Sequence, residues 1–134
     1  MSSIDKQGSE RIVLVIDNDE HVRRTLESVC KLIEGVRPIT AANVSAGYKL
    51  FCENNIGLVI TDLSMPSETG LDLLRRVRGG GSDVPVLVFS GSFTAGTREM
   101  AHELGATEIL NKPANIDALM TTIRRLLSID DSPA

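Results

Sequence analysis

The sequence predicts an α/β domain: a doubly wound, five-stranded parallel sheet in the order 2-1-3-4-5, carrying five helices. Three observations predict it. Five short apolar, β-branched runs alternate with five segments whose apolar residues recur at helical spacing, the pattern of repeated strand–helix–strand crossovers. The strongest runs, Ile12-Val13-Leu14-Val15-Ile16 and Leu58-Val59-Ile60-Thr61, are apolar without alternation, as strands covered on both faces are. Pro38 cannot donate to a sheet ladder and so confines the second run to an edge. Right-handed crossovers then set the first and third strands side by side, with helices on both faces.

The first strand, Ile12 to Ile16, ends in Asp17-Asn18-Asp19. Val22, Leu26, Val29, Cys30 and Ile33 then keep helical spacing, so one face of a first helix packs on the sheet, and Gly35 supplies its stop. Val36 to Ala41 is the edge strand. Val44, Gly47, Tyr48 and Phe51 fit a second helix with Asn43 as N-cap, and Gly47 lets it approach the sheet closely. The third strand, opened by Gly57 and followed by Pro66, delivers Asp62 into a loop. Gly70 leads into a third helix carrying Leu71, Leu74 and Val77, closed by the connector Gly79-Gly80-Gly81.

Val84 to Phe89 reads as the fourth strand, ending in Ser90-Gly91-Ser92. Thr94 to Leu104 reads as the fourth helix, with a weak stripe of Met100, Ala101 and Leu104, and Gly105 ends it. Thr107 to Leu110 is the fifth strand and runs into Asn111-Lys112-Pro113. Asn115 caps the last helix, where Ile116, Leu119, Met120, Ile123, Leu126 and Leu127 give the clearest amphipathic signal. Residues 1–10 and 129–134 are expected to be flexible tails around one domain at 11–128.

A chain of 134 residues, 42% hydrophobic and 24% charged, suits one ordinary soluble domain with a single core region. No apolar run approaches the roughly 18 residues of a membrane span. The polar stretch Met1 to Glu10 lacks a signal-peptide core, which predicts a cytoplasmic protein whose Cys30 and Cys52 stay reduced, as buried or half-buried small hydrophobes. The start at Met1 is expected to locate the domain at an N-terminus, and a stand-alone domain and one cut from a longer chain read alike. A formal charge of −4 argues against direct nucleic-acid binding. Arg75, Arg76 and Arg78 read as a solvated helix face, and so do Arg124 and Arg125.

The strand order gathers Asp17, Asn18, Asp19 and Asp62 in the crevice outside the strand ends, at a topological switch point. Carboxylates crowded there repel one another unless a cation sits among them. Carboxylate, amide and backbone oxygens with room for water favour Mg2+ over zinc or a caged calcium ion. Neither His21 nor His102 has a partner at zinc spacing. Lys112 follows the fifth strand and Ser90 the fourth, so a point cation and a hydroxyl reach the same crevice. This set suits phosphoryl transfer: Asp62 attacks phosphorus, metal and Lys112 neutralise equatorial oxygens, and Ser90 hydrogen-bonds one of them. Plainer roles stand beside these: Asp17 or Asp19 as a helix cap, Ser90 as a turn residue, Lys112 as a solvated lysine.

From about Arg11 to Ser128 the chain resembles the receiver domains of bacterial two-component response regulators, a flavodoxin-like, CheY-like family. Four motifs carry the resemblance in order at matching strand ends: Val15-Ile16-Asp17-Asn18-Asp19-Glu20, Thr61-Asp62-Leu63-Ser64-Met65-Pro66 with Gly70, Val88-Phe89-Ser90-Gly91, and Asn111-Lys112-Pro113. It implies that Asp62 accepts a phosphoryl group from a sensor histidine kinase or phosphotransfer protein. It implies Mg2+ as cofactor, held by Asp17, Asn18, Asp62 and the Ser64 backbone carbonyl, with Asp19 as a further candidate. Lys112 and Ser90 become catalytic partners, and Ser90 with Ile109 the switch. The domain would catalyse its own phosphorylation and dephosphorylation, a signalling phosphoacceptor rather than an enzyme. A downstream protein or output domain, or a second copy in a homodimer, would bind the face of the fourth helix, fifth strand and fifth helix.

Two residues depart from the family pattern. Asn18 stands where a second metal-ligating carboxylate is usual, so metal affinity falls unless Asp19 compensates. Ile109 stands where a Tyr or Phe usually turns inward, so readout is expected to be weak or different. They motivate an alternative, a receiver-like protein-interaction module that works without phosphorylation. A phosphohydrolase using an aspartyl phosphate is a weaker third, because Ser64 rather than an acid stands two residues after Asp62.

Overall fold

The computed structural model describes residues 10–65 and 67–129. The tails expected at 1–10 and 129–134 lie outside the described residues except for Glu10 and Ile129, and Pro66 also lies outside them. The elements alternate strictly: β1 (Arg11–Ile16), α1 (Glu20–Lys31), β2 (Val36–Ala41), α2 (Val44–Glu53), β3 (Ile56–Thr61), α3 (Gly70–Gly79), β4 (Val86–Ser90), α4 (Ala95–Glu103), β5 (Glu108–Asn111) and α5 (Ile116–Leu126). The strands form one parallel sheet in the expected order, β2-β1-β3-β4-β5, with Pro38 on the edge strand.

Register decides where the acids emerge. Ile16 pairs with Ala41 of β2 and Thr61 of β3, so three strands end level. The ladder continues one residue further, Asp17 N donating to the Ala41 carbonyl at 3.2 Å and Asp62 N to the Ile16 carbonyl at 3.1 Å. Asp17 and Asp62 therefore leave the sheet on neighbouring strands.

Strand alternation sorts the core into two layers. Val13, Val15, Leu58, Ile60, Leu87 and Phe89 meet Leu26, Val29 and Cys30 of α1 and Leu119 and Ile123 of α5. Leu14, Ile16, Val59, Val86 and Val88 meet Val44 of α2, Leu73, Leu74 and Val77 of α3, and Ala101 of α4. Because both faces are covered, the β1 run from Val13 to Ile16 is fully buried, which is why it is continuously apolar. A Cβ on Gly47 would collide with Ile16 Cδ1, so the close approach expected of α2 depends on that glycine.

Several local expectations are corrected. β4 begins at Val86, not Val84, since Pro85 at that end supplies only its carbonyl, to Val59 N at 3.0 Å. β5 runs one residue later than expected, Glu108–Asn111. In α3 the buried stripe is Leu73, Leu74 and Val77, with Leu71 only half-buried. In α5 Ile116 is 52% exposed at the first turn, while Thr122 is buried. Cys30 is buried as expected, whereas Cys52 is exposed because its side of α2 faces away from the sheet.

Arg78 does not belong to a solvated face. Its guanidinium donates to the carbonyls of Gly105 at 2.7 and 3.1 Å, Val84 at 2.7 Å and Ser82 at 3.1 Å, tying the end of α3 to the start of β4 and the turn before β5. Arg125 is also partnered, meeting both carboxylate oxygens of Glu108 at 2.8 Å. Among the described residues no helix is long and apolar enough to cross a membrane.

Candidate functional site

Asp17 and Asp62 are 2% and 7% exposed, so two carboxylates sit almost out of water at adjoining strand ends. Such a pair is costly unless each oxygen is compensated. One oxygen of each meets backbone: Asp17 Oδ1 accepts from Asp19 N at 2.9 Å, and Asp62 Oδ1 from Ser64 N at 3.3 Å. The other oxygens share one cation. Lys112 Nζ donates to Asp17 Oδ2 at 2.8 Å and to Asp62 Oδ2 at 3.2 Å.

Burial acts most strongly on the Lys112 ammonium and alone would lower its pKa. The hydrogen bond and charge of Asp17, joined by the charge of Asp62, outweigh it and hold the pKa above the ordinary lysine value, so the ammonium stays protonated. Its stem is fixed from two sides: Lys112 N donates to the Ser90 carbonyl at 2.9 Å, and Nζ lies 5.6 Å from the centre of the Phe89 ring. Ser90 is fully buried at the end of β4, and its hydroxyl pairs with Ser92 Oγ at 3.2 Å. Ser92 Oγ meets Ser64 Oγ at 2.6 Å, joining the loops after β3 and β4.

The remaining candidates take separate places. Asn18 is exposed beside Asp17, on the wall of a cavity shared with Asn43, Ser67 and Glu68. Asp19 is the N-cap of α1, its Oδ1 accepting from His21 N at 2.9 Å and Val22 N at 3.4 Å. That oxygen serves the helix. Ile109 is half-buried against the α2–α3–α4 layer. Phe93 packs against the same layer, with the Arg98 guanidinium 4.7 Å over its ring and Arg98 Nη2 bonded to Asn111 Oδ1 at 3.0 Å.

Sequence reasoning missed Arg23, whose Nη1 donates to the Asp17 carbonyl at 2.7 Å and props the loop after β1. Its position six residues after Asp17, about one turn into the helix that Asp19 caps, was the available signal. Gly70 was read as a helix start, but its larger role is steric: a Cβ there would collide with the Asp62 carbonyl oxygen.

The donor set suits a hard divalent cation. It offers two buried carboxylates with lone pairs left over, an amide at Asn18 and main-chain carbonyls, all oxygen. Lys112 already shows that positive charge is stabilised between the carboxylates. Among the described residues no three His, Cys, Asp or Glu side chains gather as a metal-binding group, so such a cation would complete its shell with amide, backbone and water oxygens.

Residues 13–124 match the family model for the response regulator receiver domain. The chain is 34% identical over 127 residues to the DNA-binding transcriptional regulator NtrC of Azospirillum brasilense, covering 94% of this chain and 26% of that one. It thus spans about a quarter of that relative's length. Among solved structures, a CheY-like receiver domain protein from Methanospirillum hungatei superposes with a TM-score of 0.85 at 20% identity, covering 90% of this chain and 95% of that one. The response regulator TrrA of Thermotoga maritima, in complex with Mg(2+)-BeF, superposes with a TM-score of 0.77 at 27% identity, covering 87% and 98%.

Proposed function

This chain belongs to the response regulator receiver domain family of two-component signalling, and on that premise we propose that Asp62 accepts a phosphoryl group from a sensor histidine kinase or phosphotransfer protein and thereby switches partner binding. The observation that carries the proposal is the Lys112 ammonium bridging buried Asp17 and Asp62 at the ends of β1 and β3. It sets a positive charge against a nucleophilic carboxylate that is almost buried.

In the transfer, an Asp62 carboxylate oxygen attacks phosphorus, the P–N bond of the phosphohistidine breaks, and the imidazole nitrogen keeps the electron pair. The product is an acyl phosphate. Lys112 follows the charge, donating to a phosphoryl oxygen in place of one carboxylate, and the Ser90 hydroxyl binds another oxygen by giving up Ser92. Asp17, Asn18, Asp62 and the Ser64 backbone carbonyl would hold Mg2+, which supplies positive charge toward the phosphoryl oxygens and supports metal dependence. Attack by water on phosphorus later breaks the O–P bond, returning Asp62 and free phosphate.

The switch pair is Ser90 and Ile109, with the signal leaving through the face of α4, β5 and α5 toward a downstream protein, an output domain or a second copy. The net charge of −4 supports a protein rather than a nucleic-acid partner for this domain, in the cytoplasm. Incubation with acetyl phosphate, followed by intact-protein mass spectrometry, tests the proposal. One phosphoryl adduct is expected on the wild type with Mg2+, and none on Asp62→Asn or without metal. Equal uptake by Asp62→Asn sinks the assignment. Absence of any adduct on a folded wild type favours instead the interaction module that works without phosphorylation, the reading that Asn18 and Ile109 support.

A further inference from the structure

Asn18 leaves the metal position one carboxylate short. Asp17, Asp62 and Lys112 sum to a single negative charge, and the affinity of an oxygen site for a divalent cation follows the charge of its ligands. Asp19 gives one of its oxygens, Oδ1, to the cap of α1. The carboxylate placed beside the deficit is Glu68, in the loop between β3 and α3. With Asn18, Asn43, Ser45 and Ser67 it lines a cavity of about 510 Å3. A cavity of that size with so many polar walls has room for several hydrogen-bonded waters.

Glu68 is engaged elsewhere, but weakly. Its Oε2 accepts from Arg76 Nη2 at 2.6 Å, with the two side chains 32% and 40% exposed. An ion pair this open to water contributes little and exchanges readily. Arg76 also has a second partner to fall back on, since its guanidinium lies 5.6 Å over the Tyr48 ring. Losing Glu68 would not strand it.

We propose that Glu68 supplies, across the water of this cavity, the negative charge that Asn18 withholds from the divalent cation, exchanging Arg76 for that cation when it binds. The inference rests on the Mg2+ reading of the site given above. It makes Arg76 a competitor of the metal and Glu68 a positioning residue acting through water rather than a direct ligand. A unit charge about 6 Å from a dication in a water-like dielectric changes affinity by about tenfold.

Calorimetric titration of Mg2+ into the unphosphorylated chain tests this, with far-UV circular dichroism to confirm that each variant is folded. Glu68→Gln is expected to weaken binding about tenfold. Arg76→Gln is expected to tighten it, and in an Asn18→Asp background the effect of Glu68→Gln should shrink severalfold. Unchanged affinity in Glu68→Gln, with the wild type binding Mg2+, overturns this inference alone. An undiminished loss in the Asn18→Asp background also overturns it, since Glu68 would then not be replacing Asn18. A wild type that takes up no Mg2+ overturns the metal reading of the site together with the inference.

Discussion

At the scale of single residues, burial gives chemically similar side chains opposite properties. Cys30 sits in the layer between β1 and α1, and burial first, then the nearby charge of Glu27, push its thiol from an ordinary 9.0 up to about 12. Cys52 stands exposed on α2. A thiol reagent at neutral pH should therefore titrate one cysteine in the native chain and both after unfolding; two fast-reacting thiols in the native state would contradict the burial of Cys30. The same shift makes stability depend on pH. Below pH 9 both states keep the Cys30 proton; above it the unfolded chain releases a proton that the folded chain retains. Stability should thus fall by about 1.4 kcal/mol per pH unit between pH 9 and 12 from this group, and Cys30→Ala should remove that part of the slope in urea titrations.

At the scale of elements, the site is held by the ways helices begin. Asp19, Asn43, Thr69, Thr94 and Asn115 cap the five helices, and Thr69 with Asp72 forms a reciprocal capping box at α3. The Thr69 backbone N–H holds the Asp72 carboxyl below its ordinary range. These caps aim α3 so that Gly70 passes directly over the Asp62 main chain, donating its N–H to the Leu63 carbonyl at 3.3 Å. No side chain fits there, because any Cβ on Gly70 meets the Asp62 carbonyl oxygen. Gly70→Ala should cost about 2 kcal/mol or more in denaturant unfolding, by overpacking, and should slow phosphoryl uptake by displacing Asp62. Wild-type stability and uptake in that variant would show that the loop after β3 yields freely. Gly70 was visible in the sequence as the lead into α3, but its Thr69 cap was not read, and only the packed helix shows that the glycine protects the position of the acid.

At the scale of the whole molecule, two buried carboxylates against one ammonium leave the native state with unbalanced negative charge that the unfolded chain spreads into water. A divalent cation that binds only the native site should stabilise the fold, by about 1.4 kcal/mol for each tenfold of concentration above its Kd. Thermal unfolding should shift upward by a few degrees with millimolar Mg2+ in the wild type and not in Asp62→Asn; an equal shift in both would place the cation elsewhere. The architecture that makes this site was legible in the chain because its signals are local and periodic. Continuous apolar runs mark strands covered on both faces, helical spacing marks the crossovers, and Pro38 marks the edge, so strand order and the meeting of Asp17 with Asp62 followed. What local pattern could not carry was the direction of side chains that bond across the fold. The clamp of Arg78 on three carbonyl groups, the support of Asp17 by Arg23 and the place of Glu68 beside Asn18 depend on contacts between segments distant in sequence or on rotamers set by packing. The sequence by itself determined the fold and which acids meet at its strand ends, since hydrophobic periodicity and turn chemistry act within a few residues. Only the tertiary structure decided which carboxylates Lys112 bridges and which carbonyls Arg78 clamps, because hydrogen bonds are shared out by geometry after the elements have packed.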